Sequence, residues 1–418
     1  MTEPSEAAAR VETSPIPPPG FPLSSDEASF RPVGTEDRIV LLDALRGFAL
    51  FGVLLANMSG FKFPLVSFLY PSEDFHHPGP WNEVAETVLL WLVSGKFMSI
   101  FAFLFGVGLA LQEKRAASRG LAFGPFIRWR MVLLLAAGVI HGILLWPGDI
   151  LAVYGIFGLL SPILLGWRAR TLAGVVLAIA LISIAAHVIL TLAFHESGAV
   201  YADRESIELW IEGYRQASLP GVIQLRIQEW KMVWVTAYLS DFSYAFLFFV
   251  TGLATGKSGR FLDWLSPGFK VGRGFVIAFL VALVITIIAL IIFRGPEPIS
   301  RDASIFAYLA ILVGNWMLAW GYMAGFARLH TRIAASDLMK SLRCVGRMSL
   351  TNYLLQSIIA NAVFMPFGLG LYGQASFCEG LALSAIIFAF QMIFSRWWLS
   401  RHNSGPAEYL WRALSYPR

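Results

Sequence analysis

The sequence has 418 residues, of which 57% are hydrophobic and 14% are charged, and its net charge is +5. An ordinary globular protein carries roughly 25% charged residues, so this chain has too little charge to cover the surface of a water-soluble fold. The composition therefore excludes a soluble protein, and the positive charge, which lies in short connections between apolar segments, favours anionic lipid over nucleic acid as a partner.

Ten apolar segments follow one another along the chain. About 20 apolar residues cross a bilayer as a helix, and only a helix satisfies all the backbone hydrogen bonds of one segment in lipid. The predicted spans are residues 39–60, 97–112, 129–146, 150–167, 171–194, 238–256, 273–293, 303–327, 348–367 and 377–397. The sequence predicts an all-α polytopic membrane protein with about ten transmembrane helices. An interfacial or re-entrant helix is expected near residues 83–95.

The connections between spans differ in charge. Lys and Arg crowd every second connection and the C-terminal tail, whereas the alternate short connections carry only Lys62, Arg294 and Arg301. Connections rich in Lys and Arg lie on the cytoplasmic side of the membrane, so both termini are predicted to be cytoplasmic. An even number of spans agrees with this prediction. Residues 1–38 begin acidic, lack the order of a cleavable signal and then become proline-rich, so a disordered cytoplasmic tail is expected.

The remaining organisation follows from this topology. Residues 39–397 form the transmembrane bundle, and residues 398–418 form a cytoplasmic C-terminal tail. Two external loops are long, residues 61–83 and 195–237, and the second contains amphipathic stretches. These stretches are expected to lie on the outer leaflet or to cap a cavity.

The first span carries three polar side chains, Asp43, Arg46 and Asn57. Arg46 and Asn57 are eleven residues apart, which is about 20° more than three full helical turns. They therefore share a helix face and lie about 16 Å apart along the helix axis. Asp43 precedes Arg46 by three residues and can pair with it. Two interpretations stay open: Arg46 extends to the inner interface as a structural ion pair, or it binds an anion such as phosphate.

The third span repeats this spacing with Arg130 and His141. His141 is flanked by Gly138 and Gly142, which allow close helix approach, and it lies about 16 Å into the membrane from Arg130. Ionisable groups at such depth usually serve a site. Asp149 follows in the next turn and either caps the fourth helix or orients the histidine.

The ninth span carries Asn352 and Gln356, which are four residues apart and share a face. They bind a substrate or hold two helices together by hydrogen bonds. The sequence has no metal-spaced Cys/His set, no phosphate-binding glycine loop and no soluble-hydrolase motif, so no metal site is predicted.

Several segments resemble the YeiB-like family of bacterial inner-membrane proteins. They are residues 38–49, His141-Gly142, residues 146–151, residues 346–356 and residues 405–412. The resemblance therefore extends from residue 38 to the end of the chain, and it implies a multi-pass protein of the bacterial inner membrane. It implies no particular activity.

The family is distantly similar to transmembrane acyltransferases, which include bacterial surface-sugar O-acetylases and the lysosomal heparan-α-glucosaminide N-acetyltransferase. This similarity implies transfer of an acetyl or other acyl group from cytoplasmic acyl-CoA to a sugar or lipid head group at the outer face. The sugar acetylases carry Arg, ten residues and then His in their first span. Here Arg46 matches, but Asn57 replaces the histidine. The base is then His141, or His77 in the loop before Trp81, unless this chemistry is lost.

The acyltransferase hypothesis gives each polar residue a role. Arg46, with Asp43 and Arg130, holds acyl-CoA as a co-substrate, and no covalently bound cofactor is expected. His141 is the general base, Asp149 orients it, and Asn57 hydrogen-bonds the acyl carbonyl.

The alternative hypothesis is a transporter or flippase for a small molecule or a lipid, which would use the same polar residues as a path. The chain shows no convincing internal repeat, which argues weakly against a transporter. The expected partners are the lipid bilayer and a small-molecule or glycolipid acceptor, and a homodimer is left open.

Overall fold

The computed structural model describes residues 39–69, 79–194, 204–236, 243–259, 272–293 and 301–416. Within these ranges the chain forms fifteen α-helices and one 3-10 turn, Leu65–Leu69, and no strand. The helices are α1 Val40–Lys62, α2 Pro80–Leu92, α3 Lys96–Ser118, α4 Phe123–Leu144, α5 Leu151–Gly166, α6 Ala169–Phe194, α7 Arg204–Gln216, α8 Leu219–Thr236, α9 Ser243–Ser258, α10 Arg273–Phe293, α11 Arg301–Ile333, α12 Asp337–Arg347, α13 Ser349–Phe364, α14 Phe377–Leu399 and α15 Pro406–Ser415.

The all-α prediction is confirmed, because each predicted span coincides with one of these helices. Among the described residues, four stretches are both long and apolar enough to cross a membrane: Val40–Lys62, Pro80–Ser118, Phe123–Leu144 and Phe377–Leu399. Shorter apolar helices occur at Leu151–Gly166, Ala169–Ala185 and Phe275–Ala289. The chain is thus a polytopic helical membrane protein, while the count of ten spans and the orientation remain predictions.

Glycines bring several helix pairs into direct backbone contact. At Gly346 of α12, an added Cβ would collide with the backbone oxygen of Asp43 in α1, and at Gly47 it would collide with that of Leu342. Gly106 of α3 and Gly252 of α9 meet in the same reciprocal way, each against the backbone of the other helix. Small residues at such crossings let helices approach closely in lipid, where dispersion forces between packed surfaces replace the hydrophobic effect.

Helices α4 and α5 form an antiparallel hairpin. Gly138 lies against Ala152, and Gly155 lies against Leu135. The contacting residues therefore have decreasing numbers on α4 and increasing numbers on α5, so the two helices run in opposite directions. The turn is tied to the end of α1, because the indole N–H of Trp146 donates to the Gly60 carbonyl at 3.0 Å. The end of α4, the start of α5 and the end of α1 therefore meet at one end of the bundle.

The C-terminal helix fixes the start of α13. The Glu408 carboxylate accepts hydrogen bonds from the backbone N–H groups of Leu350 and Thr351, at 2.7 and 3.1 Å, and from the Thr351 hydroxyl at 2.5 Å. These N–H groups belong to the first turn of α13 and have no acceptor inside that helix. The tail thus supplies a negative cap that holds α13 in register.

Candidate functional site

The α4–α5 hairpin places Asp149 beside His141. One carboxylate oxygen of Asp149, Oδ2, accepts a hydrogen bond from the Ala152 backbone N–H at 2.7 Å. The other, Oδ1, lies 2.9 Å from Nδ1 of His141. The two roles considered for Asp149 are therefore compatible, since one oxygen stabilises the first turn of α5 and the other faces the imidazole.

Ser357 of α13 completes the cluster from the opposite side. Its Oγ lies 2.9 Å from Nε2 of His141 with hydrogen-bond geometry. The exposed fraction is 2% for His141, 4% for Asp149 and 0% for Ser357. Asp149, His141 and Ser357 thus form a carboxylate–imidazole–hydroxyl chain that is shielded from solvent, and α4, the turn before α5, and α13 each contribute one residue.

The two contacts of the imidazole differ in alignment. The Ser357 contact has hydrogen-bond geometry, whereas the Nδ1–H is not aimed at Oδ1 of Asp149 despite the 2.9 Å separation. In catalytic sites without substrate such hydrogen bonds are often poorly aligned and tighten when the substrate binds.

Tyr353 and Asn361 flank Ser357 on the same face of α13, four residues before and after it. The Tyr353 ring packs on His141 with 5.0 Å between ring centroids, and its hydroxyl accepts from the Ile150 backbone N–H at 3.3 Å. The Asn361 amide donates to the Leu145 carbonyl at 2.9 Å. These contacts attach α13 to both ends of the turn that carries Asp149.

Asn352 and Gln356 lie on a different face of α13, toward α14. The Asn352 amide donates to Oγ of Ser395 at 2.9 Å, and the Gln356 amide donates to the side-chain oxygen of Gln391 at 3.0 Å. Gln391 in turn donates to the Asn352 carbonyl at 2.7 Å. Both side chains are fully buried, so these contacts agree with interhelical hydrogen bonding, and their role as substrate ligands remains a prediction.

The predicted anion-binding residues lie at the far end of the bundle from His141. Nη1 of Arg46 contacts Oδ1 of Asp43 at 3.1 Å, as expected from their spacing. Its guanidinium lies beside Gly108 of α3, where an added Cβ would come within 3.4 Å of Nη2. Arg130 donates to the Gln112 side chain at 2.7 Å, and Gln112 lies one turn beyond Gly108. Arg46 and Arg130 therefore approach the same face of α3.

Arg130 is also enclosed by aromatic rings of its own helix and of the C-terminal segment. Its guanidinium carbon lies 5.3 Å from the Phe126 ring centroid, 5.7 Å from that of Trp411 and 5.2 Å from that of Tyr416. Such cation–π contacts hold the arginine in place. Arg46 has a 29% exposed side chain and makes fewer contacts, which makes it the more accessible cation.

Two predicted residues are not joined to the cluster. The Asn57 amide nitrogen is buried and has no hydrogen-bond partner within the part of the chain that the structure describes. It is thus available to a ligand, but no contact links it to His141. His77, the other candidate base, lies outside the described residues.

An open cleft lies next to the cluster, at the predicted outer end. It is small, and its lining includes Trp146, Tyr214, Arg226, Glu229, Asn361 and Tyr372. Arg226 donates to the Leu144 carbonyl at 2.5 Å and also to the side-chain oxygen of Asn361. Because Leu144 follows His141 by three residues and Asn361 follows Ser357 by four, Arg226 bridges the two helices one turn beyond the cluster.

Glu229 is the acid of this cleft, on α8 in the predicted external segment. It accepts from the Tyr214 hydroxyl at 2.7 Å and from the Leu65 backbone N–H. Burial raises the pKa of Glu229 to about 7, although these donors and Arg226 act in the opposite direction. Burial and the nearby carboxylate both raise the pKa of Tyr214, which therefore stays a neutral donor.

Comparison with known proteins relates the chain to proteins of unknown function. Residues 255–418 match the family described as "Protein of unknown function (DUF418)". Uncharacterized protein YxaH of Bacillus subtilis is 29% identical over 93% of this chain and 97% of its own length. Uncharacterized protein YeiB of Escherichia coli is 28% identical over 91% of this chain and 96% of its own length. The chain is therefore similar to YeiB and YxaH over almost its whole length.

The YeiB-like relationship extends over both halves of the site. The matched family region contains Ser357 but not His141 or Asp149. The alignments with YxaH and YeiB extend over more than nine-tenths of the chain and so reach beyond this region. The resemblance first noted from residues 38–49 and 346–356 is therefore confirmed at the level of the family.

Sequence reasoning found His141 and Asp149 but missed Ser357. The predicted polar row of α13 consisted of the amides Asn352 and Gln356, whereas Ser357 belongs to the adjacent face. A signal was present, because Tyr353, Ser357 and Asn361 recur every four residues and form a second polar row on α13. Helix periodicity identifies both rows, but only the packing decides which row faces the histidine.

Proposed function

We propose that this YeiB-like protein is a transmembrane acyltransferase of the bacterial inner membrane. It would move an acyl group from cytoplasmic acyl-CoA to a sugar or lipid head group at the outer face. The observation that supports this function most directly is the buried chain of Asp149, His141 and Ser357, with separations of 2.9 Å on both sides of the imidazole. This arrangement suits proton transfer to and from an attacking hydroxyl.

His141 is the general base in this proposal. The carboxylate of Asp149 beside Nδ1 favours the tautomer that keeps Nε2 free to accept a proton, and it stabilises the imidazolium that then forms. General base catalysis by a positioned histidine contributes about 10²- to 10⁴-fold to a rate. Because the cluster is buried, its local dielectric is low, and the attraction between the Asp149 carboxylate and the imidazolium is stronger than it would be in water.

The donor and the acceptor approach from opposite ends. Arg46 is the accessible cation at the predicted cytoplasmic end, and a guanidinium suits the phosphate oxygens of CoA. Eleven helical residues separate Arg130 from His141 on α4, about 16 Å, so the acyl arm of a bound CoA has to extend along the bundle to reach the base. The small cleft lined by Arg226 and Glu229 marks the end of the bundle from which an acceptor would approach, and it would have to widen to admit a sugar or a lipid head group.

The first test is binding of acetyl-CoA to the protein in lipid nanodiscs. We expect binding to the wild type and weaker binding to Arg46→Ala, because a charged hydrogen-bond partner of phosphate is removed. Arg128→Ala is the matched control, since Arg128 is an exposed arginine at the same predicted end of the bundle. Lack of binding to the wild type at millimolar acetyl-CoA would contradict the proposal.

The second test separates chemistry from binding. In His141→Ala, acetyl-CoA binding should persist, while radiolabel transfer from acetyl-CoA into the lipids and sugars of inside-out membrane vesicles should fall by about 10²-fold or more. Transfer at the wild-type rate would remove His141 from the mechanism. Substrate flux across the membrane with no affinity for acetyl-CoA would favour the transporter or flippase alternative.

A further inference from the structure

We infer that Ser357 is a nucleophile that carries the acyl group as a covalent ester between donor and acceptor. This inference rests on the acyltransferase function proposed above. It assigns the reaction two steps through an acyl-enzyme, in place of direct transfer from acyl-CoA to the acceptor. The acyl donor class is a thioester, and the acceptor class is a hydroxyl or an amine.

The hydrogen bonding of Ser357 differs from that of four other buried helix serines in this protein. A serine within a helix commonly donates to a carbonyl three or four residues earlier. Ser99, Ser161, Ser183 and Ser384 do so, donating to Gly95, Gly158, Ile179 and Gly380 at 2.6 to 2.8 Å. The Ser357 hydroxyl instead lies 2.9 Å from Nε2 of His141, on a different helix.

The neighbouring carboxylate favours one direction for this hydrogen bond. If Nε2 carried the proton, the unprotonated Nδ1 would lie 2.9 Å from Oδ1 of Asp149, which is electrostatically unfavourable. With the proton on Nδ1, Nε2 accepts from the Ser357 hydroxyl. A hydroxyl that donates to a histidine, itself oriented by a third group, is the arrangement that activates serine for attack on a carbonyl.

An unpartnered donor lies next to the cluster as well. The indole N–H of Trp230 is buried and has no hydrogen-bond partner among the residues the structure describes. It lies against Gly142, the residue after His141, where an added Cβ would come within 2.7 Å of the indole nitrogen. A buried free N–H of this kind is suited to an oxygen that gains negative charge during acyl transfer.

The reaction has two steps, acylation of Ser357 and transfer of the acyl group from Ser357 to the acceptor. Oγ of Ser357 loses its proton to Nε2 of His141 and forms a bond to the thioester carbonyl carbon. The carbon–sulfur bond breaks, and the imidazolium returns the proton to the departing sulfur, which leaves free CoA and an acyl ester on Ser357. An acceptor hydroxyl or amine then attacks the ester carbonyl, and His141 takes the acceptor's proton. The bond between the carbonyl carbon and Oγ breaks, and the imidazolium gives that proton to Oγ of Ser357, which leaves the acylated acceptor and the free enzyme.

The experiment mixes the full-length protein in nanodiscs with radiolabelled acetyl-CoA, quenches in acid and locates the label by peptide mass mapping. We expect an acetyl group on Ser357 in the wild type, no label in Ser357→Ala, and transfer in Ser357→Ala reduced about 10²-fold or more. Ser384→Ala is the matched control, because Ser384 is equally buried but bonds only within its own helix. It should be labelled and active like the wild type.

A second variant covers the case in which Ser357→Ala fails to fold. Ser357→Cys preserves the shape of the side chain and would carry the acyl group as a thioester. Neutral hydroxylamine cleaves thioesters but requires alkaline conditions for oxygen esters, so the pH of label release should change with the variant. A purely structural role for Ser357 would not produce this change.

The outcomes separate this inference from the function on which it depends. Acetyl transfer by Ser357→Ala at the wild-type rate, with no label on the wild type, would overturn the covalent step and leave direct transfer by His141. Labelling of Ser357 by a nitrophenyl ester, but not by acetyl-CoA, would support the nucleophile and overturn the CoA-dependent function. No labelling by either donor would overturn the inference.

Discussion

The two oxygens of the Asp149 carboxylate have different partners, and this division decides what the residue can do. Oδ2 accepts from the first turn of α5, and Oδ1 faces His141. A capping aspartate is ordinarily a local feature. Here the same side chain also lies 2.9 Å from the imidazole of His141 on α4, so a local folding signal and a contact of the candidate site coincide in one residue.

Glu229 leads to a prediction of pH-dependent stability. Its pKa is raised to about 7 in the folded protein against an ordinary value of 4.5, so the folded state holds this proton more tightly than the unfolded state. The contribution of Glu229 to the free energy of unfolding should therefore be fully present below about pH 4.5 and should be lost as the pH rises to about 7. The loss amounts to roughly 3 kcal/mol, because one pKa unit corresponds to about 1.4 kcal/mol.

Thermal unfolding in nanodiscs between about pH 5 and 8 measures this dependence. Glu229→Gln retains an acceptor for the Tyr214 hydroxyl and has no proton to lose, so its melting temperature should fall less over this range. Arg226 on the same helix and Tyr372 across the cleft stay in place in both proteins and serve as the common background. Equal pH slopes for variant and wild type would show that Glu229 does not titrate in this way.

At the level of secondary structure, the close approach of α4 and α5 positions the site. Gly138 allows it, because an added Cβ would collide with the backbone of Ala152 and would come within 2.6 Å of Oδ2 of Asp149. A methyl group at this position pushes the start of α5 away from α4. The carboxylate that faces His141 moves with it.

Gly138→Ala should therefore reduce acyl transfer more strongly than it reduces acetyl-CoA binding. Overpacking of this kind costs about 1–3 kcal/mol of stability, so the melting temperature should fall as well. Gly124→Ala on the same helix is the control, since a Cβ there meets no atom within 4 Å. Unchanged transfer in Gly138→Ala would mean that the hairpin tolerates a wider separation without loss of the site.

At the level of the whole molecule, the proposed chemistry depends on orientation. The charge asymmetry of the connections predicts cytoplasmic termini, which puts Arg46 toward the cytoplasm and the cleft of Arg226 and Glu229 toward the outside. Acyl-CoA is a cytoplasmic donor in the proposed reaction, so the reverse orientation would place the cation on the wrong side of the membrane.

Reporter fusions test this orientation. Green fluorescent protein fused after residue 418 should fluoresce, and alkaline phosphatase at that position should be inactive, because the first requires the cytoplasm and the second the outside. Alkaline phosphatase inserted between α7 and α8, at residues 217–218, should be active. The opposite pattern at both positions would invert the topology and contradict the assignment of donor and acceptor ends.

The sequence by itself determined the class of fold, because apolar runs of membrane-spanning length in a chain with few charges leave helices as the only stable structure in lipid. It also singled out His141 as a candidate, since an ionisable side chain inside a span usually serves a site, and Asp149 as a candidate in the turn that follows. Local spacing paired Asp43 with Arg46, which requires only one turn of helix.

Only the tertiary structure decided the partner of the histidine. Ser357 lies 216 residues from His141 in sequence, and no local periodicity tells which face of α13 meets α4. The same packing turned Asn352 and Gln356 toward α14 and brought Arg226 from the external segment onto the ends of α4 and α13. Spacing along a helix fixes which residues share a face, but the neighbour of each face depends on how all the helices pack together.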